Sequence, residues 1–222
     1  MIKIYGVRRS RATRPIWVLN ETGQDHELVR VTFAARLADP LAADAPLNTA
    51  SPAYLAINEV GQIPAMVDGD LLLTESLAIA IYLAEKAGGE LAPQSLREKG
   101  ELAQWALLAA TGIETPALAI SSLAAQGKAD TDEGRAVVAD SLAKLARPMR
   151  RVEAHLSAHQ WLMGDRFTVA DIVLAECLRY ATGVPGTLSA WPATAAWLAR
   201  CHARPAFQKM WADREAEVLE TL

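Results

Sequence analysis

The chain carries almost no sulfur chemistry of its own: two cysteines in 222 residues, Cys177 and Cys201, with no CxxC spacing. That excludes a disulfide framework and a thiol–disulfide exchange motif, and it makes a cytoplasmic, reducing compartment the simplest setting. Histidine is scarce. Of the four, His155 and His159 share one helical face at i,i+4, and no third ligand suggests itself, so no metal site is expected. A basic excess is missing: 22 Lys and Arg face 26 Asp and Glu, a net charge of −4. That balance argues against nucleic acid or a membrane surface as the main partner. No uninterrupted apolar run reaches the ~18 residues of a spanning helix. The opening MIKIYGVRRS reads as a short strand followed by arginines, not as a secretory leader. What is plentiful is apolar side chain, 51% of residues, enough for a sizeable core in one large or two small domains.

The pattern changes near residue 90. Before it, short β-like runs alternate with helices. Lys3 to Tyr5 begins a strand. Thr13 to Thr22 has helical spacing, with Pro15 in its first turn and Gly23 as its stop. Glu27 to Phe33 alternates with period two and predicts a strand. Ala34 to Pro52, broken by Pro40, Pro46 and Pro52, predicts a long loop with a short helix. Ala65 to Val67 and Leu71 to Leu73 flank Asp68-Gly69-Asp70, a hairpin signal. A helix then follows Thr74-Glu75-Ser76, where side-chain oxygens suit an N-terminus. Past a linker containing Pro93, the chain is Ala- and Leu-rich with helical spacing throughout. It predicts helices over Leu96 to Ala125, kinked at Pro116, over Asp132 to Ala158 with either a kink or a break at Pro148, and over Thr168 to Ala181, Trp191 to Ala203 and Pro205 to Glu220. The expectation is an α+β chain: a thioredoxin-like domain over 1–86 and an all-α helical bundle over 96–222.

Two segments carry a family resemblance. The run NEVGQIPAMVDGDLLLTESLAIAIYL, residues 58–83, places a Val60-Gly61-Gln62-Ile63-Pro64 turn ahead of a hairpin and then Glu75-Ser76 at a helix start. About a hundred residues later, Gly164-Asp165-Arg166-Phe167-Thr168-Val169-Ala170-Asp171 holds an S/T-x-x-D capping box, Thr168 with Asp171. In this order the two resemble the glutathione-binding half and the capping motif of the cytosolic glutathione S-transferases. The resemblance implies a cis peptide at Ile63-Pro64 whose backbone pairs with the cysteinyl part of glutathione. It also implies that Gln62 contacts the tripeptide and that Glu75 and Ser76 hold its γ-glutamyl end. Thr168 and Asp171 act in folding. Glu59 stands where the family has proline, Ile63 replaces valine, and the loop over 34–52 offers no match for the glycyl-end contact.

The chemistry lies between Tyr5 and Pro15. A thioredoxin-like fold places its reactive group in this loop, and here Ser10 and Thr13 stand where redox members have cysteines. A hydroxyl can still donate to a thiolate that the substrate brings. Glutathione's thiol titrates near ~8.5, and lowering that by about two units needs ~2.7 kcal/mol. A hydrogen bond to a charged group is worth roughly 1.5–3 kcal/mol and a helix N-terminus about 0.3–1, up to ~2 when partly buried. One hydroxyl and the helix start therefore suffice without metal or general base. Ser10 precedes Arg14 by four, a spacing similar to bacterial-type transferases with a serine active site; Tyr5 is the competing donor, and a backbone or other donor is the third alternative. The plain structural alternatives are a cap for Ser10 and a packed strand aromatic for Tyr5. Arg8, Arg9, Arg11 and Arg14 form a basic cluster that suits an anionic tripeptide.

The resemblance implies a homodimer acting in detoxification, with glutathione as co-substrate and a small hydrophobic electrophile held by the helical half. Trp105, Leu108, Thr111, Glu114 and Tyr180 are the candidates by position, although such residues at helical spacing are more often core. The same scaffold admits a glutathione-dependent isomerase, peroxidase or dehalogenase, or a non-catalytic binding module; fold alone does not separate them.

Overall fold

The computed structural model describes residues 1–218. In chain order the regular elements are β1 (Ile2–Gly6), α1 (Thr13–Thr22), β2 (His26–Arg30), α2 (Pro52–Leu55), β3 (Ala65–Asp68), β4 (Leu71–Leu73) and α3 (Ser76–Ala87). They are followed by α4 (Leu96–Leu108), α5 (Glu114–Ala125), α6 (Asp132–Leu156), α7 (Val169–Leu178), α8 (Pro192–His202) and α9 (Pro205–Ala216). Two compact units result among the described residues, one of residues 1–87 with those from 205 onward and one of 88–204. The second unit thus ends earlier than the expected 96–222: α9 packs on α1 through an edge-to-face contact of Trp17 with Phe207, ring centroids 4.8 Å apart.

The first unit is built on a four-stranded sheet in the order β2-β1-β3-β4. β1 runs parallel to β2, pairing Ile4 with Leu28, and antiparallel to β3, pairing Tyr5 with Ala65. The parallel pair requires a crossover, which α1 supplies. Alternation drives β1: Ile2, Ile4 and Gly6 are buried, Lys3 and Tyr5 half-buried. α1 buries Ile16, Trp17, Val18 and Leu19 and stops at Gly23. β2 is shorter than its alternation suggests. Beyond Arg30 the chain leaves the sheet, and Thr32 pairs instead with Asn48 of the loop, with Thr32 N–H on the Leu47 carbonyl at 3.0 Å. The loop's prolines lack N–H groups, but fully buried Asn48 gathers their carbonyls: its Nδ2 donates to Pro40 O at 2.8 Å and Pro46 O at 2.9 Å.

The second unit is helical. The expected single helix over Leu96–Ala125 is interrupted, and the break is not at Pro116. Residues Ala109–Ile113 form a π-turn, with Glu114 N–H reaching the Ala109 carbonyl. Pro116 lies in the first turn of α5, where it has no N–H to donate and its ring crowds the carbonyl four residues back; a widened turn just upstream relieves both. By length and apolar composition alone Leu96–Ala125 is also sufficient to cross a bilayer, with an 18-residue window of mean hydropathy 1.4. The uninterrupted-run criterion missed this. Here the segment buries Leu102, Trp105, Ala109, Ile113 and Ile120 against other helices. Pro148 sits within an unbroken α6. The box at α7 is complete: Thr168 N–H donates to Asp171 Oδ2 at 2.9 Å, and the Thr168 hydroxyl accepts from Ala170 N–H. Asp171 also takes Leu162 N–H at 3.0 Å and Trp197 Nε1 at 2.8 Å. Burial pushes its carboxyl up to about 6, against the pull of those donors.

Candidate functional site

Gly6 ends β1, and the next residues carry the arginine cluster and Ser10. Ser10 is not the cap of α1. That position is Ala12, which makes no side-chain capping bond. Ser10 Oγ instead accepts the Ala12 N–H at 3.0 Å and donates to the Val7 carbonyl at 2.6 Å. The Thr13 and Arg14 amides are taken by the Ser10 and Arg11 carbonyls, at 3.4 and 3.2 Å, and Pro15 has none. The serine oxygen thus terminates the row of N–H groups that opens α1, whose first turn contains no acidic residue to cancel the positive end. An oxygen that accepts an N–H is a better O–H donor. Its proton rests on Val7, a neutral acceptor.

The turn ahead of β3 lies against this loop. A methyl at Gly6 would stand 3.5 Å from Cβ of both Ala12 and Ile63 and 3.8 Å from Cα of Pro64. Ile63-Pro64 is cis, as expected, with both residues buried and Gln62 exposed. The sequence did not disclose what holds the turn. Tyr54 Oη donates to the Gln62 carbonyl at 2.5 Å and Asn58 Nδ2 to the same oxygen at 2.7 Å. Both donors are buried, and burial pushes the Tyr54 phenol up to about 12, keeping it a neutral donor. Their i,i+4 spacing just before the turn is the one signal that could have found them. Gly61 is required there: its φ is +64°, and a Cβ would meet the Thr49 carbonyl oxygen at 2.6 Å. Tyr5 packs its ring against Tyr54, centroids 6.4 Å apart, the packed-aromatic alternative.

Ser76 opens α3 and is buried, with Glu75 exposed beside it. Arg14, itself buried, donates from Nη1 to Ser76 Oγ at 2.9 Å. The Ser76 oxygen is thereby the acceptor, and the buried Arg14 guanidinium stands behind it. Ser10, the 62–64 turn and the 75–76 helix start therefore lie on one unit, joined through Gly6 and Arg14. At the sheet edge beyond, Asp68 ties β3 to α3 by accepting from Tyr82 Oη at 2.8 Å and from Lys86.

The helical candidates are less united. Leu108 and Thr111 line one cleft of about 850 Å³ with Gly112, Thr115, Pro116 and Pro148, and Lys144, Arg147 and Arg151 form its basic side. Its volume suits a small organic molecule. Trp105 is not in that lining. It is 4% exposed, with His155 edge-on at 5.1 Å and Arg151 over its face at 5.0 Å, and it borders a separate cavity of about 490 Å³. Tyr180 lies on a short 3₁₀ turn with Arg179 stacked 4.6 Å over its ring. Glu114 is buried and accepts from the Cys177 thiol. No cluster of three His, Cys, Asp or Glu among the described residues could hold a metal.

Comparison with known proteins gives two matching family models: Glutathione S-transferase, N-terminal domain, over residues 1–85, and Glutathione S-transferase, C-terminal domain, over 104–205. Glutathione S-transferase 3 of Zea mays is 34% identical over 216 residues, covering 94% of this chain and 92% of that protein. Among solved structures, glutathione S-transferase I from mais in complex with an atrazine glutathione conjugate superposes with a TM-score of 0.79 at 30% identity, over 98% of this chain and 99% of that one. A theta class enzyme of Xanthomonas axonopodis pv. citri with glutathione bound gives 0.74 at 28% identity, over 94% and 95%.

Proposed function

Because this chain belongs to the glutathione S-transferase family in both of its halves, we propose that it is a serine-type, bacterial-type member in which Ser10 holds the thiolate of glutathione for attack on an apolar electrophile. The chain is a glutathione transferase, and glutathione is its co-substrate. The observation that carries the serine assignment is the Ser10 hydroxyl, placed at the end of the α1 amide row by the Ala12 N–H, with its proton on the Val7 carbonyl.

In this reading, Gln62 and the Ile63-Pro64 backbone take the cysteinyl part of glutathione by strand-like pairing. Ser76, steadied by Arg14, and the start of α3 receive the γ-glutamyl carboxylate, and Glu75 its ammonium. The sulfur then lies at Ser10. Exchanging a bond to a neutral carbonyl for one to an anion favours the thiolate by roughly 1.5–3 kcal/mol less the ~1 kcal/mol of the bond given up, and the α1 terminus adds about 1 kcal/mol. Leu108 and Thr111 are assigned to the electrophile, with Trp105 and Tyr180 as supporting structure around their own neighbours. A homodimer in the cytoplasm belongs to the same proposal.

The test is turnover of glutathione with an aryl halide. Ser10→Ala is expected to lower kcat/KM by about 100-fold, the low end of what removing one donor to a developing anion costs, with glutathione affinity little changed. Turnover near that of the wild type removes Ser10 from the mechanism.

A further inference from the structure

The loop that carries Ser10 is held by the far end of the chain. Beyond α9, the Glu217 carboxylate accepts the backbone N–H of Arg8 at 3.0 Å and of Arg9 at 2.9 Å. The same carboxylate stands 4.0 Å from the guanidinium groups of Arg8 and of Arg30, and its side chain is 6% exposed. The surrounding contacts form a strap: Arg9 donates to the carbonyls of Arg214, at 3.2 Å, and Glu215, at 2.9 Å, and Arg30 to that of Val218 at 2.7 Å. α9 is itself fixed to α1 by the Trp17–Phe207 contact and by Asn20, which donates to the Ala206 carbonyl at 3.3 Å.

We propose that Glu217 is a positioning residue for Ser10. The proposal rests on the reading of Ser10 above. Residues 8 and 9 lie between the two atoms that define the serine's place, the Val7 carbonyl and Ser10 Oγ, which are 2.6 Å apart. The loop's own elements do not take the amides of 8 and 9; a buried carboxylate more than 200 residues away does. Charge-assisted bonds of this kind are short and directional. Without them the peptide between Arg8 and Arg9 is free to rotate, and Oγ spreads over positions that no longer meet a sulfur held by the 62–64 turn. A negative charge near a thiolate site works against ionisation of the thiol. The electrostatic and geometric effects of Glu217 therefore have opposite signs, and substitutions separate them.

Four proteins decide the matter: wild type, Ser10→Ala, Glu217→Ala and the double variant, with Glu217→Gln as the shape-conserving control. Bound glutathione is titrated by thiolate absorbance, and kcat and KM are measured with an aryl halide. Glu217→Ala is expected to raise the apparent pKa of the bound thiol by about one unit, which is a tenfold loss of thiolate at a pH well below both midpoints and about threefold near neutral pH. It should lower kcat about tenfold, as a small misplacement of a reacting group does, with KM for glutathione little changed. Glu217→Gln retains an oxygen for one of the two N–H groups and is expected to recover most of both readouts. In the Ser10→Ala background, loss of Glu217 should add almost nothing, because the two act as one unit. A Glu217→Ala protein that titrates and turns over as wild type does overturns the proposal, and so does an equal loss from Glu217→Ala with and without Ser10. If Ser10→Ala alone leaves the titration unmoved, the serine reading fails and takes this proposal with it. That outcome is read from the Ser10 arm by itself. If Glu217→Ala does not fold, Glu217→Asp, whose shorter side chain withdraws the carboxylate from the two N–H groups, takes its place in the coupling test with the same expected loss, and a Glu217→Asp protein that titrates and turns over as wild type does overturns the proposal.

Discussion

At the residue scale, the account turns on which oxygens give protons and which receive them. Ser10 has one proton and places it on Val7 while accepting from Ala12. Ser76 receives from Arg14. Gln62 presents a carbonyl already occupied by Tyr54 and Asn58, which fixes the neighbouring Ile63 backbone. Tyr54→Phe keeps the ring in its cluster with Val7, Val31, Ile63 and Ala65 and removes only the hydroxyl. It is expected to cost about 1 kcal/mol of stability by urea titration. If the turn loosens by the same amount, KM for glutathione rises about fivefold, with kcat nearly unchanged. An unaltered KM would mean that the turn needs only Asn58. The places of Ser10 and Ser76 beside α1 and α3 were readable in the sequence because each lies within a few residues of a helix start. Tyr54 and Asn58 lie just ahead of a turn that reads as self-contained, and Glu217 has no local signal, since its partners are 208 and 209 residues away.

At the element scale, the helices follow rules that short windows of sequence contain, with one exception. α1 begins and ends where Pro15 and Gly23 put it. The start of α7 follows from the Thr168 and Asp171 spacing, and the structure adds that the same carboxylate serves Leu162 and Trp197. Asp171→Ala is therefore more than a lost cap. It leaves the Thr168 and Leu162 amides and the Trp197 indole as buried donors without their acceptor, and the expected loss is about 3 kcal/mol in a urea titration. Thr168→Ala, which removes only the hydroxyl, should cost about 1 kcal/mol. Equal losses from the two would reduce Asp171 to an ordinary cap. The exception is the π-turn over Ala109–Ile113. Pro116 signals a disturbance in the long helix, but the sequence does not say that the backbone relieves it upstream of the proline. Where the backbone gives way depends on how the helices pack, and packing is not contained in a short window of sequence. The same limit explains why Trp105, Leu108 and Thr111, close in sequence, line two separate cavities.

At the scale of the whole molecule, the division into a mixed sheet followed by helices was readable from the change of pattern near residue 90, and the return of α9 to the first unit was not. α9 carries almost no amphipathic pattern that would name its partner, which the Trp17–Phe207 contact and the Asn20 bond to the Ala206 carbonyl identify. Stability as a function of pH is also a property of the whole chain, and His202 gives it a testable slope. Burial pushes the His202 imidazole down to about 4; nearby Glu176 opposes this and Arg179 adds to it. The unfolded chain, near 6.5, binds the proton more readily, so stability present above pH 6.5 is lost as pH falls toward 4. Between pH 7 and pH 5 this amounts to about 2 kcal/mol. His202→Gln is expected to narrow the difference between urea-derived stabilities at those two pH values by that amount, while an unchanged difference would show that His202 titrates normally. The central claim, however, concerns a borrowed sulfur. The most direct measurement is the ultraviolet titration of glutathione bound to the wild type and to Ser10→Ala. A wild-type midpoint about two units below the ~8.5 of an ordinary thiol is expected, with a return most of the way to that value in the variant. Coincident titrations with the same lowered midpoint would contradict it.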